Sequence, residues 1–224
     1  MNILAIDTTT KKANVGIKTT DVVKVKSIDN EVTHSEKLLP LIDESLKECC
    51  VKVKDIDCIA CTTGPGSFTG IRIGLATTKA LAKVINAKIY AIDSLTLLAY
   101  SVKNSQNYKL VVSLIDAKNN RAYAGMYLGS SSAINNQNKY LNEIWEDISK
   151  ICDENNINEK EVLIISDSLN IFECIPEKYE KTNTALNIEE LLNLASSSTD
   201  FTDYLKLDAT YVRSSEAERT KYGE

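Results

Sequence analysis

Two stretches of this 224-residue chain carry the same order of apolar patterns, and that repetition limits the folds open to it more than any other feature. The first half reads as three strands at residues 2–7, 13–18 and 21–28 and a helix near 33–50. A strand at Cys58–Thr62, a helix over 69–86, a strand at Lys88–Ile92 and a helix over 94–103 follow. The turns at 8–12 and 19–20 are short enough to join antiparallel neighbours. The pattern restarts after the polar run 103–107. Strands at 110–115, Arg121–Leu128 and 139–144 form a second meander; a helix over 147–154, a strand at 161–166 and a helix at Ile188–Ser197 complete it. Segment 130–138 is rich in Asn and Ser and reads as a flexible loop. Thr33 and Glu36 have the spacing of a capping box at the first helix, and Pro40 predicts a kink or restart within it.

A βββαβα order occurring twice predicts an α/β protein with two mixed-sheet halves. This is the pattern of a duplicated ribonuclease-H-like fold of the actin, sugar-kinase and Hsp70 type. The expected division is a first domain over 1–103 and a second over 104–224.

Composition narrows the function classes. Apolar residues make up 43% and charged residues 25% of the chain, as in ordinary globular proteins. A net charge of −5 argues against a broad basic footprint for nucleic acid, so any RNA connection is expected to run through a partner. No apolar run approaches the roughly 18 residues of a membrane span. Met1 leads straight into a strand, so no secretory leader and a cytoplasmic location are expected. The six cysteines are then expected as free thiols. Cys58 and Cys61 have the gap of a zinc knuckle, but in a strand an odd separation points side chains to opposite faces. No metal site is expected.

Four of the eight glycines fall within residues 62–74, in Gly64-Pro65-Gly66-Ser67-Phe68-Thr69-Gly70 and at Gly74. A strand, a Gly-rich turn and a helix form a backbone nest whose N–H groups face either an anion or a close-packed neighbour. The string lacks the Gly-Lys-Ser/Thr ending of a P-loop and the spacing of a dinucleotide fingerprint.

Asp7-Thr8-Thr9 ends the first strand, and Asp116 holds the equivalent place in the second half. In an actin-like fold an acid here, with hydroxyls beside it, grips metal and phosphate; in a plain hairpin the same residues bond locally to the backbone. Asn119 and Asn120 stand where a glycine is usual, since Asn tolerates positive φ. The turn at 166–169 has no glycine for close approach of a base. Asp7, Thr8, Thr9 and Asp116 therefore read as a degenerate nucleotide site. His34 is the one histidine, and position 38 is Leu, which excludes a His-x-x-x-His metal pair. No residue is assigned a catalytic role.

On the helix over 69–86, Arg72, Lys79, Lys83 and Asn86 form one narrow stripe, while apolar residues cover much of the rest. Such a helix is expected to be covered on two sides. Gly70, Gly74, Thr78 and Leu81 run along one line and would admit a close helix. The first helix adds Leu38, Leu41, Ile42 and Leu46. These eight residues are the expected partner interface.

Residues 1–10, 34–40, the Gly64–Gly74 string and 92–95 together resemble the TsaB (YeaZ) family, near-continuously over 1–100. Residues 116–123 and 211–213 extend the likeness more weakly. The glycine string is shared with the catalytic sister family, TsaD, and the missing second histidine places this chain with the non-catalytic member. The resemblance implies a scaffold that pairs with TsaD, joined by the ATPase TsaE, for threonylcarbamoylation of the adenosine beside the tRNA anticodon. It implies tRNA contact only through the complex, a homodimer when alone, and no cofactor of its own, with ATP or ADP and Mg belonging to the assembled complex. It also implies docking of the tail, 216–224, on the first domain. The rival expectations are an actin-like kinase or acyltransferase using Asp7 and Asp116 around Mg-ATP, and a metalloprotease, which a single histidine disfavours.

Overall fold

The computed structural model describes residues 1–29, 34–129 and 131–212. The capping position Thr33 and the tail 216–224 lie outside the described residues. The described residues form two compact units, Met1–Ser94 with Asn187–Thr210, and Leu95–Leu186 with Tyr211 and Val212.

In the first unit β1 (Ile3–Asp7), β2 (Lys12–Lys18), β3 (Val23–Asp29), β4 (Cys58–Thr62) and β5 (Lys88–Ile92) make one sheet in the order β3-β2-β1-β4-β5. The meander pairs are antiparallel and the β1–β4 and β4–β5 pairs parallel. All five residues of β1 and of β4 are buried, because helices cover both faces of these central strands. Leu4, Ile6, Val15, Ile17, Ile59 and Cys61 share a core with α1 (His34–Glu48) and α2 (Phe68–Ile85). Alternation turns Ala5, Gly16 and Cys58 the other way. There Gly16 admits the helix Ile188–Ser197: a Cβ on it would stand 2.7 Å from Ile188 Cγ2 and 2.9 Å from Leu192 Cδ1.

That helix corrects the expected division at 103. It lies late in the sequence, but its buried residues Ile188, Leu191, Leu192 and Ala195 belong to the first unit. The residues after it stay there. Thr202 bridges to Ile89 at the edge strand β5, Leu207 enters the core, and the Thr210 N–H donates to the Thr63 carbonyl at 2.8 Å.

The second unit repeats the topology. β6 (Leu110–Asp116), β7 (Arg121–Leu128), β8 (Ser131–Tyr140), β9 (Val162–Ser166) and β10 (Glu180–Asn183) run in the order β8-β7-β6-β9-β10. The short helix α3 (Ser94–Tyr100) precedes this sheet. α4 (Leu141–Asn155) places Leu141, Ile144, Ile148 and Ile151 in the core with α5 (Leu169–Cys174) and the sheet, and Ile188–Ser197 is α6. The duplicated α/β fold is thus as the sequence indicates.

Three local expectations fail. The Asn/Ser-rich segment read as a loop is strand β8, held to β7 by backbone pairing that its polar composition conceals. It carries register shifts opposite Ala124–Met126 and Met126–Tyr127, which break any clean alternation. The strand expected at 139–144 is instead the end of β8 and the start of α4, where Tyr140 N–H donates to Glu143 Oε2 at 2.8 Å in a capping box. Pro40 does not end or restart α1, which continues through it to Glu48, and it sits on the exposed side of the helix.

Candidate functional site

Asp7 ends β1 opposite Asn14 of β2, with Thr62 at the end of the parallel neighbour β4. These three side chains converge on one face of the sheet. Asp7 is fully buried. Its Oδ1 accepts from Thr9 Oγ1 at 2.7 Å, Thr62 Oγ1 at 2.7 Å and the Thr9 N–H at 3.1 Å. Its Oδ2 accepts from Asn14 Nδ2 at 3.0 Å. The network continues outward: Ser94 Oγ donates to Thr9 Oγ1 at 3.1 Å and Ser27 Oγ to Asn14 Oδ1 at 2.6 Å. Five strands or strand ends are therefore tied to one carboxylate. A buried acid survives on such terms because both of its oxygens accept hydrogen bonds.

The glycine string closes the same corner. Ser67 caps α2 by accepting from the Gly70 N–H at 3.3 Å, while its own N–H donates to the Thr9 carbonyl at 2.7 Å. Thr8 Oγ1 donates to the Gly70 carbonyl at 2.7 Å. A Cβ at Gly66 would stand 2.2 Å from the Thr9 carbonyl oxygen, one at Gly70 1.9 Å from that of Thr8, and one at Gly74 2.4 Å from Thr8 Oγ1. Gly64, at φ 101°, packs against Ile71 and the Thr210 carbonyl, and precedes a cis peptide to Pro65. Of the two uses open to this loop, the structure takes the close-packed neighbour: glycines let α2 lie directly on the β1–β2 turn. Phe68 and Thr69 begin the helix, with the Arg72 guanidinium 3.9 Å from the Phe68 ring centroid.

Asp116 stands in the second unit and has a different environment. It is half-buried; its Oδ1 accepts from the Lys118 N–H at 2.7 Å and its Oδ2 lies 3.5 Å from Ser168 Oγ. Lys118, Asn119 and Asn120 all take positive φ, so the two Asn do serve in place of glycine. Asp7, Thr8 and Thr9 form one sealed cluster with Asn14, Thr62 and Ser94, which sequence reading did not single out. Asn14 was detectable as the one polar residue among the inward-facing positions of β2.

The expected interface needs correction. Leu38, Leu41, Ile42, Leu46, Gly70, Gly74 and Thr78 are all buried inside the first unit, and Leu81 is half-buried against its core. The line of small residues faces the Thr8 turn. The outward arc of α2 is the adjoining one, with Ala76, Ala80 and Val84 exposed, bordered by Arg72, Lys79 and Lys83; Ile73 and Thr77 on the same arc are half-buried, Ile73 against the core. Val84 is 83% exposed, and on α1 Leu39 is 56% exposed.

The six cysteines are free. Burial pushes the Cys58 thiol up to about 11 and the Cys61 thiol up to about 12, with the Thr78 hydroxyl pulling the latter down in part. Among the described residues no three His, Cys, Asp or Glu side chains are grouped to hold a metal, and no helix is long and apolar enough to cross a membrane.

The family model for TsaD, tRNA N6-adenosine threonylcarbamoyltransferase, matches residues 29–191. The tRNA threonylcarbamoyladenosine biosynthesis protein TsaB of Buchnera aphidicola subsp. Schizaphis graminum is 30% identical over 132 residues, covering 59% of this chain and 63% of that protein. The chain spans between 52% and 63% of the length of four such TsaB relatives. A Pseudomonas aeruginosa protein described as similar to the peptidase YeaZ superposes with a TM-score of 0.77 at 22% identity, covering 95% of this chain and 99% of that one. A Bacteroides thetaiotaomicron protein with an actin-like ATPase fold gives a TM-score of 0.50 at 9% identity, covering 88% and 96%. With its glycine string built into the β1–β2 turn and the family model matching most of its length, the chain belongs to the TsaD family.

Proposed function

We propose that this chain is a non-catalytic scaffold and activator that pairs with a TsaD-type protein, joined by a TsaE-type ATPase, for threonylcarbamoylation of the adenosine beside the tRNA anticodon. The observation that carries the reading is the state of Asp7. It has no exposure, and four donors already hold its two oxygens. A carboxylate so enclosed serves the fold, whereas the actin-like kinase reading needs it open to Mg and phosphate. Support for the pathway comes from the TsaB relatives, which are tRNA threonylcarbamoyladenosine biosynthesis proteins.

The contact surface in this reading is the outward side of α1 and α2. Leu39, Ala76, Ala80 and Val84 make it, with the half-buried Ile73 beside them, and the buried Leu38, Leu41, Ile42, Leu46, Gly70, Gly74 and Thr78 hold the helices beneath it. Leu81 lies at its margin. Binding there favours the competent conformation of the partner, a population shift rather than a chemical step. ATP or ADP with Mg belongs to the assembled complex, tRNA is reached through it, and the chain alone pairs with itself through the same helices.

Reconstitution tests this. The TsaD- and TsaE-type proteins of the same organism, supplied with threonylcarbamoyl-adenylate and tRNA, should modify tRNA when this chain is added and far more slowly without it. This chain alone should transfer nothing. Full transfer without it, or transfer by it alone, would contradict the proposal.

A further inference from the structure

We infer that the α2 face is built to take an acid-edged partner in preference to a second copy of this chain, an inference that rests on the scaffold reading above. The sequence of α2, FTGIRIGLATTKALAKVI, contains no Asp or Glu, although the whole chain has 31 acidic against 26 basic residues. At 100° per residue Lys79, Arg72 and Lys83 fall within about 40° of one another on one border of the exposed arc. Ala76, Ala80, Ile73, Val84 and Thr77 fill the rest of that arc. The cations are thus segregated to one side of an apolar strip, rather than mixed through it.

The lysines on this border have not been neutralised from within. Neither Lys79 nor Lys83 enters an ion pair among the described residues, whereas on α1 Glu44 and Glu48 are joined to Lys24 and Lys26 and Asp43 to Lys47. Lys83 is exposed, its Nζ 5.9 Å from the Tyr204 ring centroid, and Lys79 is part-exposed. Folding leaves α1 charge-balanced and α2 cationic.

Charge complementarity then names the occupant. A partner helix or segment that covers Ala76, Ala80 and Val84 with apolar side chains meets Lys79 and Lys83 with whatever flanks them. Carboxylates there gain; cations there lose. A two-fold pairing of this chain with itself that runs two α2 helices antiparallel sets like borders side by side and brings lysine to lysine. The same residues therefore add affinity for an acid-edged partner and subtract it from the self-pair, which is specificity by an opposing element.

The crossed experiment uses the full chain, a Lys79→Gln/Lys83→Gln variant and a Val84→Asp variant, each checked for an unchanged circular dichroism spectrum and melting curve. Sedimentation equilibrium reads self-association; biolayer interferometry reads binding to the TsaD-type protein of the same organism, at 50 and 500 mM NaCl. The lysine variant should bind that protein about tenfold more weakly at low salt, lose most of the salt dependence, and self-associate more tightly than the parent. Lys83→Gln alone, at the more exposed site, should move both readings in the same two directions by less. If the parent binds the TsaD-type protein and the lysine variant matches it at both salts, the charge inference is overturned and the scaffold reading stands. Loss of affinity in both readings together would overturn it as well. A parent that does not bind at all overturns both, and Val84→Asp binding like the parent would move the contact away from this face.

Discussion

Gly70 and Thr8 are in contact through their backbones: a Cβ on Gly70 would lie 1.9 Å from the Thr8 carbonyl oxygen, while the Gly70 carbonyl accepts from Thr8 Oγ1 at 2.7 Å. The helix that carries the proposed partner surface is thereby fixed to the turn that carries Asp7. Gly66 and Gly74 repeat the contact on either side.

Gly70→Ala should be among the most damaging alanine substitutions in the first unit, because neither backbone can yield without moving α2. Overpacking of this kind costs about 1–3 kcal/mol or more. Gly16→Ala makes a milder clash, 2.7 Å from Ile188 Cγ2 and 2.9 Å from Leu192 Cδ1, and against side-chain ends that can shift. Chemical denaturation of the two variants should rank Gly70→Ala well below Gly16→Ala. Equal losses would show that α2 is not seated on Thr8 as described.

Asp7→Ala leaves Thr62 Oγ1, Asn14 Nδ2 and the Thr9 donors without their acceptor in a buried place. Stranded buried groups cost about 1–3 kcal/mol each, so a loss of about 3 kcal/mol or more is expected. Asp116→Ala, in a half-buried turn, should cost far less. The kinase alternative makes the opposite forecast: a folded Asp7→Ala protein that has lost a saturable ATPase. Unfolding curves and an ATPase assay on the same samples separate the two.

Thiol labelling at pH 8 should modify Cys50 and Cys174 fast, since both are exposed. Cys58 and Cys61 should stay unlabelled until the chain unfolds, because burial both blocks the reagent and holds their thiols far above that pH. Rapid labelling of Cys61 in folded protein would mean that β4 is not the covered central strand seen here.

The ion cluster on β3 and α1 gives a pH signature. Lys26 pairs with Glu44 and Glu48, and Lys24 with Glu48; these contacts raise the Lys26 ammonium and lower the Glu48 carboxyl from their ordinary values. A depressed acid adds stability above its unfolded pKa and loses it as pH falls through the folded one; a raised lysine keeps its share until pH rises through its own. Lys26→Met should therefore melt slightly below the parent at pH 7, and the gap should close below about pH 4. The groups are exposed, so the effect is small. A gap that persists at pH 3 would assign the loss to packing of the lysine stem.

How much of this was visible in the sequence follows from which contacts are local. The βββαβα order was legible because the strand patterns and the glycine string are local signals, and the topology β3-β2-β1-β4-β5 follows from short hairpins and helix crossovers. β8 was hidden, since an edge strand is specified by its partner's backbone and tolerates Asn, Gln and Ser. The return of α6 was hidden as well: nothing in Ile188–Ser197 announces that Ile188 and Leu192 will sit over Gly16. At the site, Asp7 and Thr9 were marked, but their roles depend on Asn14, Thr62 and Ser94, which are distant or unremarkable in sequence. On α2 the wheel separated cations from apolar residues correctly, yet it could not say which apolar arc meets the chain's own turn. The arc of Gly70, Gly74 and Thr78 took that place, leaving Ala76, Ala80 and Val84 outward.

The central claim is that this chain acts by pairing through the outward side of α1 and α2. Light scattering on a size-exclusion column, with this chain alone, with Val84→Asp, and with each mixed with the TsaD-type protein of the same organism, tests it most directly. A new peak at heterodimer mass is expected for the parent mixture and separate elution for the Val84→Asp mixture, with the variant still folded. Separate elution of the parent and the TsaD-type protein, both folded and with nucleotide supplied, would contradict it.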